Sequence, residues 1–210
     1  MTETRWWWIR HAPVVGHDGR IYGQDDPDCD CSDLVLFRGL AGLLPRDAVW
    51  VVTPLARSRR TAETILAHHA PNGPVAPLVE AALAEQHFGD WQGLTLAELG
   101  ARRGGRLPRF WLAPAHEAPP GGESFLDVVE RVSAAVGRLS ADHAGRDIVA
   151  VAHGGTIRAA LGLALGLEPE RALAFTIDNC ALTRIDHIAE PGGAALWRVR
   201  TVNLRPGNPG

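Results

Sequence analysis

Three short runs decide what this chain can fold into: Arg5–Ile9, Ala48–Val52 and Ile148–Ala152. Each is about one strand long and carries aliphatic or aromatic side chains at consecutive rather than alternate positions. Neighbouring side chains on a strand point to opposite faces, so such a run needs cover on both faces. That places it inside a parallel sheet flanked by helices. Trp6, Trp7 and Trp8 are therefore assigned to core packing on both sides of the first strand.

Helical patterns lie between the runs. Ser32 is the expected N-cap of a first helix, with Leu36, Leu40, Leu43 and Leu44 at helical spacing until Pro45. A second helix spans about Ala56 to His69, with Ala62, Ile65 and Leu66 inward. A third opens at Ser124, after Pro119-Pro120-Gly121-Gly122, and presents Phe125, Val128, Val129, Val132, Ala135, Val136 and Leu139 as one stripe. A fourth follows Gly154-Gly155. The stretch Leu173 to Val202 reads as two or three strands, and Gly89 to Gly122 as short helices over one edge. Strand–helix alternation of this kind predicts an α/β fold: a three-layer α/β/α sandwich with a mainly parallel central sheet. Residues 1–210 are expected to form one domain, with about 89–122 as a variable segment over the active site.

Composition narrows the chemistry. All 21 residues of the Lys and Arg class are arginine, which rules out Schiff-base, pyridoxal-phosphate and P-loop lysine mechanisms. Any phosphate must be held by arginine, histidine or backbone N–H groups. A net charge of −3 gives no reason to expect nucleic acid or an anionic membrane surface. The opening MTETRWWWIRH lacks the pattern of a signal peptide, and Ala159 to Leu167 is too short to span a bilayer. Cys29, Cys31 and Cys180 lack CxxC spacing and point to a reduced, cytoplasmic setting. No metal-ligand cluster and no cofactor motif stands out.

In open parallel sheets, sites form at the carboxyl ends of strands. The first run ends in Arg10-His11, the second in Thr53-Pro54-Leu55-Ala56-Arg57, the third in His153-Gly154-Gly155. Parallel strands end on the same side, so two arginines and two histidines should share a rim with the glycine N–H groups of a helix start. That combination is an anion site. Glu85, in Ala84-Glu85-Gln86-His87-Phe88-Gly89-Asp90-Trp91-Gln92-Gly93, is the candidate acid, only slightly better placed than Glu80 or Asp90.

These segments, in this order, resemble the motifs of the histidine phosphatase superfamily, the phosphoglycerate-mutase-like enzymes. Arg10-His11-Ala12 is similar to its Arg-His-Gly signature, and Thr53-Pro54-Leu55-Ala56-Arg57 with Thr61-Ala62 to its Ser-Pro-Leu-x-Arg…Thr-Ala. Glu85…Phe88-Gly89-Asp90-Trp91-Gln92-Gly93 resembles the acid loop, and Val151-Ala152-His153-Gly154-Gly155 the second-histidine motif. The matches span residues 5 to 160. The resemblance implies that His11 is the nucleophile, with Arg10, Arg57, His153 and Gly154 as phosphate ligands and Glu85 as acid then base. It implies a metal-independent phosphomonoesterase acting through phosphohistidine on a small phosphorylated metabolite, with inorganic phosphate as product.

Ala12 departs from the signature glycine and implies an ordinary backbone conformation there. Val14 and His17 stand where the family often has Ser/Thr and Asn; His17 and Gly23 are the auxiliary candidates. The Gly-Asp-Trp acid loop and the chain length favour the phosphatase branch. Pro119-Pro120-Gly121-Gly122-Glu123-Ser124-Phe125 is similar to the stretch before the long helix in α-ribazole phosphatases of cobalamin biosynthesis, and Ile21-Tyr22-Gly23-Gln24 resembles similar bacterial members, which makes α-ribazole 5′-phosphate one substrate to consider. Mutase-type phosphoryl transfer and a non-catalytic phospho-ligand module stay open. Specificity is expected from Arg102 to Glu123, with Arg106, Arg109, Trp111 and His116 as candidates. The sequence leaves the oligomeric state open.

Overall fold

The computed structural model describes residues 1–190, 192 and 194–207. Its single six-stranded sheet has the order β3-β2-β4-β1-β5-β6. The three predicted runs become β1 (Thr2–Arg10), β2 (Ala48–Val52) and β4 (Asp147–Ala152). β4 is buried along its whole length and lies between β2 and β1, parallel to both. The short β3 (Leu78–Val79) extends the parallel part at one edge. Both its residues are exposed and carry no period, and β3 is not among the predicted strands.

At the other side of the sheet, β5 (Leu182–Ala189) and β6 (Leu196–Leu204) run antiparallel. They are the two strands of the C-terminal third, which begins instead with an irregular stretch up to Ala181.

Side chains from successive β1 residues enter different cores. Trp6 and Trp8 stack at 4.8 Å and pack with Ile148 and Ala150 against α4 (Phe125–Asp142) and α5 (Gly154–Leu165). Ile9, Trp50, Val149 and Val151 pack on the opposite face against α1 (Leu34–Leu43) and α2 (Ala56–His68). Trp7 joins this second core, and its indole N–H donates to Asp147 at 2.8 Å. Helices thus cover both faces, as the doubly apolar runs required.

Helix starts follow local chemistry. Ser124 caps α4 in a reciprocal capping box with Asp127, as expected from the break before it. In α1, Asp33 rather than Ser32 is the N-cap: its carboxylate accepts from the Leu36 N–H at 3.0 Å. Ser32 instead donates its own N–H to Asp30. Phe37, Leu40, Ala41 and Leu44 face inward, while Leu43 is exposed. The segment after Glu85 forms a 3-10 turn (Gly89–Trp91), then α3 (Leu96–Arg102), then an irregular run. A four-residue helix, α6 (Pro169–Ala172), precedes the approach to β5. Among the described residues, no helix is long and apolar enough to cross a membrane.

Candidate active site

Strand register assembles the rim. Arg10 pairs with Ala152 across β1 and β4, and Val52 pairs with Val151 across β2 and β4. The next residues, His11, His153 and Thr53, therefore leave three adjacent strand ends together. The two imidazole rings lie 5.1 Å apart, and both are fully buried.

The backbone after β1 fixes the His11 ring. Its Nδ1 lies 2.7 Å from the Ala12 carbonyl oxygen, which can only accept, so Nδ1 is the donor. In the neutral ring the lone pair is then on Nε2, a buried atom with no partner. Ala12 has an ordinary negative φ, and its N–H donates to Thr61 Oγ1 at 2.8 Å. Thr61 in turn donates to the Arg57 carbonyl at 2.7 Å, and Asn179 donates to the His11 carbonyl at 2.8 Å.

The arginines are equally fixed. Arg57 is completely buried and donates to the carbonyls of Gly23 at 2.5 Å and Asp25 at 2.7 Å. Arg10 donates to the Ile177 carbonyl at 2.6 Å. His153 Nε2 lies 2.9 Å from Thr53 Oγ1. After these bonds, Arg10 Nε, Arg57 Nε, His153 Nδ1 and His11 Nε2 remain buried without a partner. Leaving a buried polar atom unpaired costs about 1–3 kcal/mol; Arg10 Nε, Arg57 Nε and a protonated His153 Nδ1 are donors that call for an anion, while His11 Nε2 presents a lone pair.

Burial and charge act together on the histidines. Desolvation, then Arg57 and Arg10, hold His11 well below the usual imidazole value. Desolvation, then His11, Arg57 and Arg10, do the same to His153. Both rings are neutral at pH 7.

Glu85 is buried against the start of α5, where the Gly155 N–H donates to Oε1 at 3.1 Å. The Gln86 N–H donates to the same oxygen at 3.0 Å. The glycine N–H groups expected to face phosphate are therefore partly committed to the acid. Gly154, the other residue of that pair, opens α5 beside two cations: a Cβ there would stand 3.0 Å from Arg158 and 3.7 Å from Arg10 Nε. Glu80 instead caps the 3-10 turn Ala81–Leu83, and Asp90 is exposed.

His17 is half-buried and its ring packs edge-on to Tyr22 at 5.4 Å, while Tyr22 sits 6.4 Å from His11. Gly23 contributes its carbonyl to Arg57 rather than a group of its own. Its φ of +45° and a Cβ position 2.5 Å from Gln92 Oε1 admit only glycine. Of the four specificity candidates, Arg109 and Trp111 line the cavity beside Glu85, while Arg106 and His116 are exposed and outside it.

Sequence reasoning passed over Arg158, Thr53 and Tyr22. Arg158 packs 4.7 Å over Trp111, donates to the Phe175 carbonyl, and is lowered to about 10 by burial. Its position four residues after Gly154, hence on the same helix face, was the available signal. Thr53 lay inside a quoted motif, but its bond to His153 depends on strand order.

The sequence model of the histidine phosphatase superfamily (branch 1) matches residues 6–200. The chain is 33% identical over 168 residues to a 2,3-bisphosphoglycerate-dependent phosphoglycerate mutase 2 of Gloeobacter violaceus, covering 77% of this chain and 74% of the relative. It is 36% identical over 217 residues to a glucosyl-3-phosphoglycerate phosphatase of Mycolicibacterium vanbaalenii, covering 93% and 92%. It spans 54% of a Mycobacterium tuberculosis bifunctional protein that it matches at 35% identity. Among solved structures, a mycobacterial hydrolase superposes with a TM-score of 0.83 at 28% identity, covering 99% of this chain and 94% of that one. An α-ribazole phosphatase from Shigella flexneri, at 24% identity, TM-score 0.77 and coverage of 96% and 97%, shares the fold.

Proposed function

The chain belongs to the histidine phosphatase superfamily and is an enzyme of the phosphoric monoester hydrolase type; we propose that it works through a phosphohistidine on His11, without a metal, on a small phosphorylated metabolite. One observation carries this reading: His11 Nε2 is a desolvated lone pair surrounded by three other unpartnered nitrogens.

Substrate phosphate sits among Arg10, Arg57 and His153, which neutralise its non-bridging oxygens. With the Thr53 hydroxyl donating to His153 Nε2, Nδ1 carries the proton and faces the anion as a donor. The His11 Nε2 lone pair attacks phosphorus in line and the ester P–O bond breaks. Glu85 gives a proton to the departing oxygen. The carboxylate left behind then takes a proton from water, whose oxygen attacks phosphorus. The P–N bond breaks, inorganic phosphate leaves, and neutral His11 returns.

Hydrolysis of p-nitrophenyl phosphate, unaffected by EDTA and inhibited by vanadate, is expected. Absence of phosphate release, or strict dependence on an added metal, overturns the reading. The Gloeobacter relative favours a second reading, mutase transfer, in which 3-phosphoglycerate is isomerised rather than hydrolysed. Glucosyl-3-phosphoglycerate and α-ribazole 5′-phosphate, taken from the names of phosphatase relatives and structural neighbours, belong in the first substrate screen. Three free thiols, two of them with sulfurs 3.8 Å apart, support a reducing, cytoplasmic setting.

A further inference from the structure

Beyond Arg10 and Glu85 the site opens into a cavity of about 360 Å³. Its wall comes from two places in the chain: Ile21 and Tyr22 from the loop after β1, and Phe88, Leu107, Phe110 and Trp111 from the segment after Glu85. Leu107 and Phe110 are exposed, although both are large and apolar. Exposed apolar side chains clustered at the mouth of a site usually meet a ligand. Past the phosphate rim, Arg109 is the one charged lining residue, and it too is exposed, its guanidinium 5.8 Å from the Phe110 ring.

Such a wall discriminates by what it lacks. A sugar or glycerate would bring hydroxyls or a carboxylate into a space where, past the phosphate rim, the Tyr22 hydroxyl and Arg109 are the polar side-chain partners, the Trp111 N–H being bonded to Gln86. Burying those groups unpaired is unfavourable. A ring or hydrocarbon portion loses nothing there and gains contact with Phe88 and Trp111, whose rings lie 6.0 Å apart and tilted by 51°. The volume is at the small end for ligand pockets, enough for one compact ring system. Glu85 lines the same cavity, so the leaving oxygen that it protonates must enter from that side.

We infer that this cavity receives the leaving group of the phosphomonoester and selects an uncharged, apolar, ring-bearing one over sugars and glycerates. The inference rests on the phosphatase reading above and adds the substrate class to it.

Three primary alkyl phosphates with similar intrinsic leaving-group chemistry separate the two claims: 2-(1-naphthyl)ethyl phosphate, glycerol 1-phosphate and 3-phosphoglycerate. The naphthyl ester is expected to exceed the other two in kcat/KM by on the order of tenfold to hundredfold, the scale of apolar pocket discrimination. In the double variant Leu107→Ser/Phe110→Ser that ratio is expected to fall toward unity through a higher KM for the naphthyl ester. A preference for glycerol 1-phosphate or 3-phosphoglycerate overturns the inference and leaves the phosphatase reading standing. So does a ratio that the double variant does not move. No phosphate release from any of the three, or from p-nitrophenyl phosphate, overturns both.

Discussion

Glu85 reaches the N-terminus of α5 only because residue 155 has no side chain. The Gly155 N–H donates to Glu85 Oε1 at 3.1 Å, and a Cβ on residue 155 would collide with that same oxygen. The pair joins an acid from an irregular loop to a helix that starts at the end of the central strand.

Gly155→Ala should therefore displace the acid while leaving the helix intact, since alanine is the better helix former. We expect kcat on alkyl phosphates to fall by about 10- to 100-fold, within the range that general acid catalysis contributes. The thermal midpoint should change little. Full activity in this variant would show that the contact does not position Glu85.

Glu85→Gln keeps the shape and removes the group that could exchange a proton with the leaving oxygen. The loss should be on the order of 10²- to 10⁴-fold for alkyl phosphates, whose alkoxides depart poorly without protonation, and much smaller for p-nitrophenyl phosphate. Steady-state rates on a series of leaving groups test this. An equal loss across the series would assign the proton to another group.

His11 and His153 make stability and activity depend on pH in a definite direction. Both are held well below the ordinary value of about 6.5, first by burial, then by charge: Arg57 and Arg10 around His11, and His11, Arg57 and Arg10 around His153. Between their folded values and about 6.5 the unfolded chain binds more protons than the folded one. Stability is then complete above about pH 6.5 and declines as the pH falls below it. Urea unfolding at pH 7.5 and 5.5 should show the decline, and His11→Ala should lessen it. The acid limb of kcat/KM should lie below pH 6.5, because His11 stays neutral there. A limb at or above 6.5 assigned to His11 would contradict the burial argument.

Thr53→Val removes a buried hydroxyl and leaves His153 Nε2 unpaired. A cost of about 1–3 kcal/mol in unfolding free energy is expected. A weaker grip on vanadate should accompany it, because Nε2 loses the bond partner that keeps the proton on Nδ1. Thr53→Ser, which retains the hydroxyl, should restore vanadate binding. Failure of serine to restore it would mean that the hydroxyl does not orient the ring.

These residues also mark how far the sequence could be read. Trp6, Trp7 and Trp8 in succession required cover on both faces, and the helices lie on both faces. Arg10-His11, Arg57 and His153 followed the three runs directly, so strand direction alone brought them to one rim. β3 was not legible, because two exposed residues carry no period. Asp33 took the cap from Ser32 because one-residue shifts at a helix start change which side chain reaches the third N–H. Arg158, Tyr22 and Thr53 act through neighbours distant in the chain, as in the 2.9 Å contact between Thr53 and His153. No local pattern encodes that kind of contact. The apolar cavity wall was hidden for the same reason: it unites residues 21–22 with residues 88–112.

The most direct test is the stereochemical course at phosphorus, followed with a p-nitrophenyl phosphate made chiral by oxygen isotopes and an alcohol as phosphoryl acceptor. Transfer through His11 comprises two in-line displacements, each inverting the centre, so the configuration should be retained. Net inversion would mean a single direct attack on the substrate, and His11 could not then be the nucleophile.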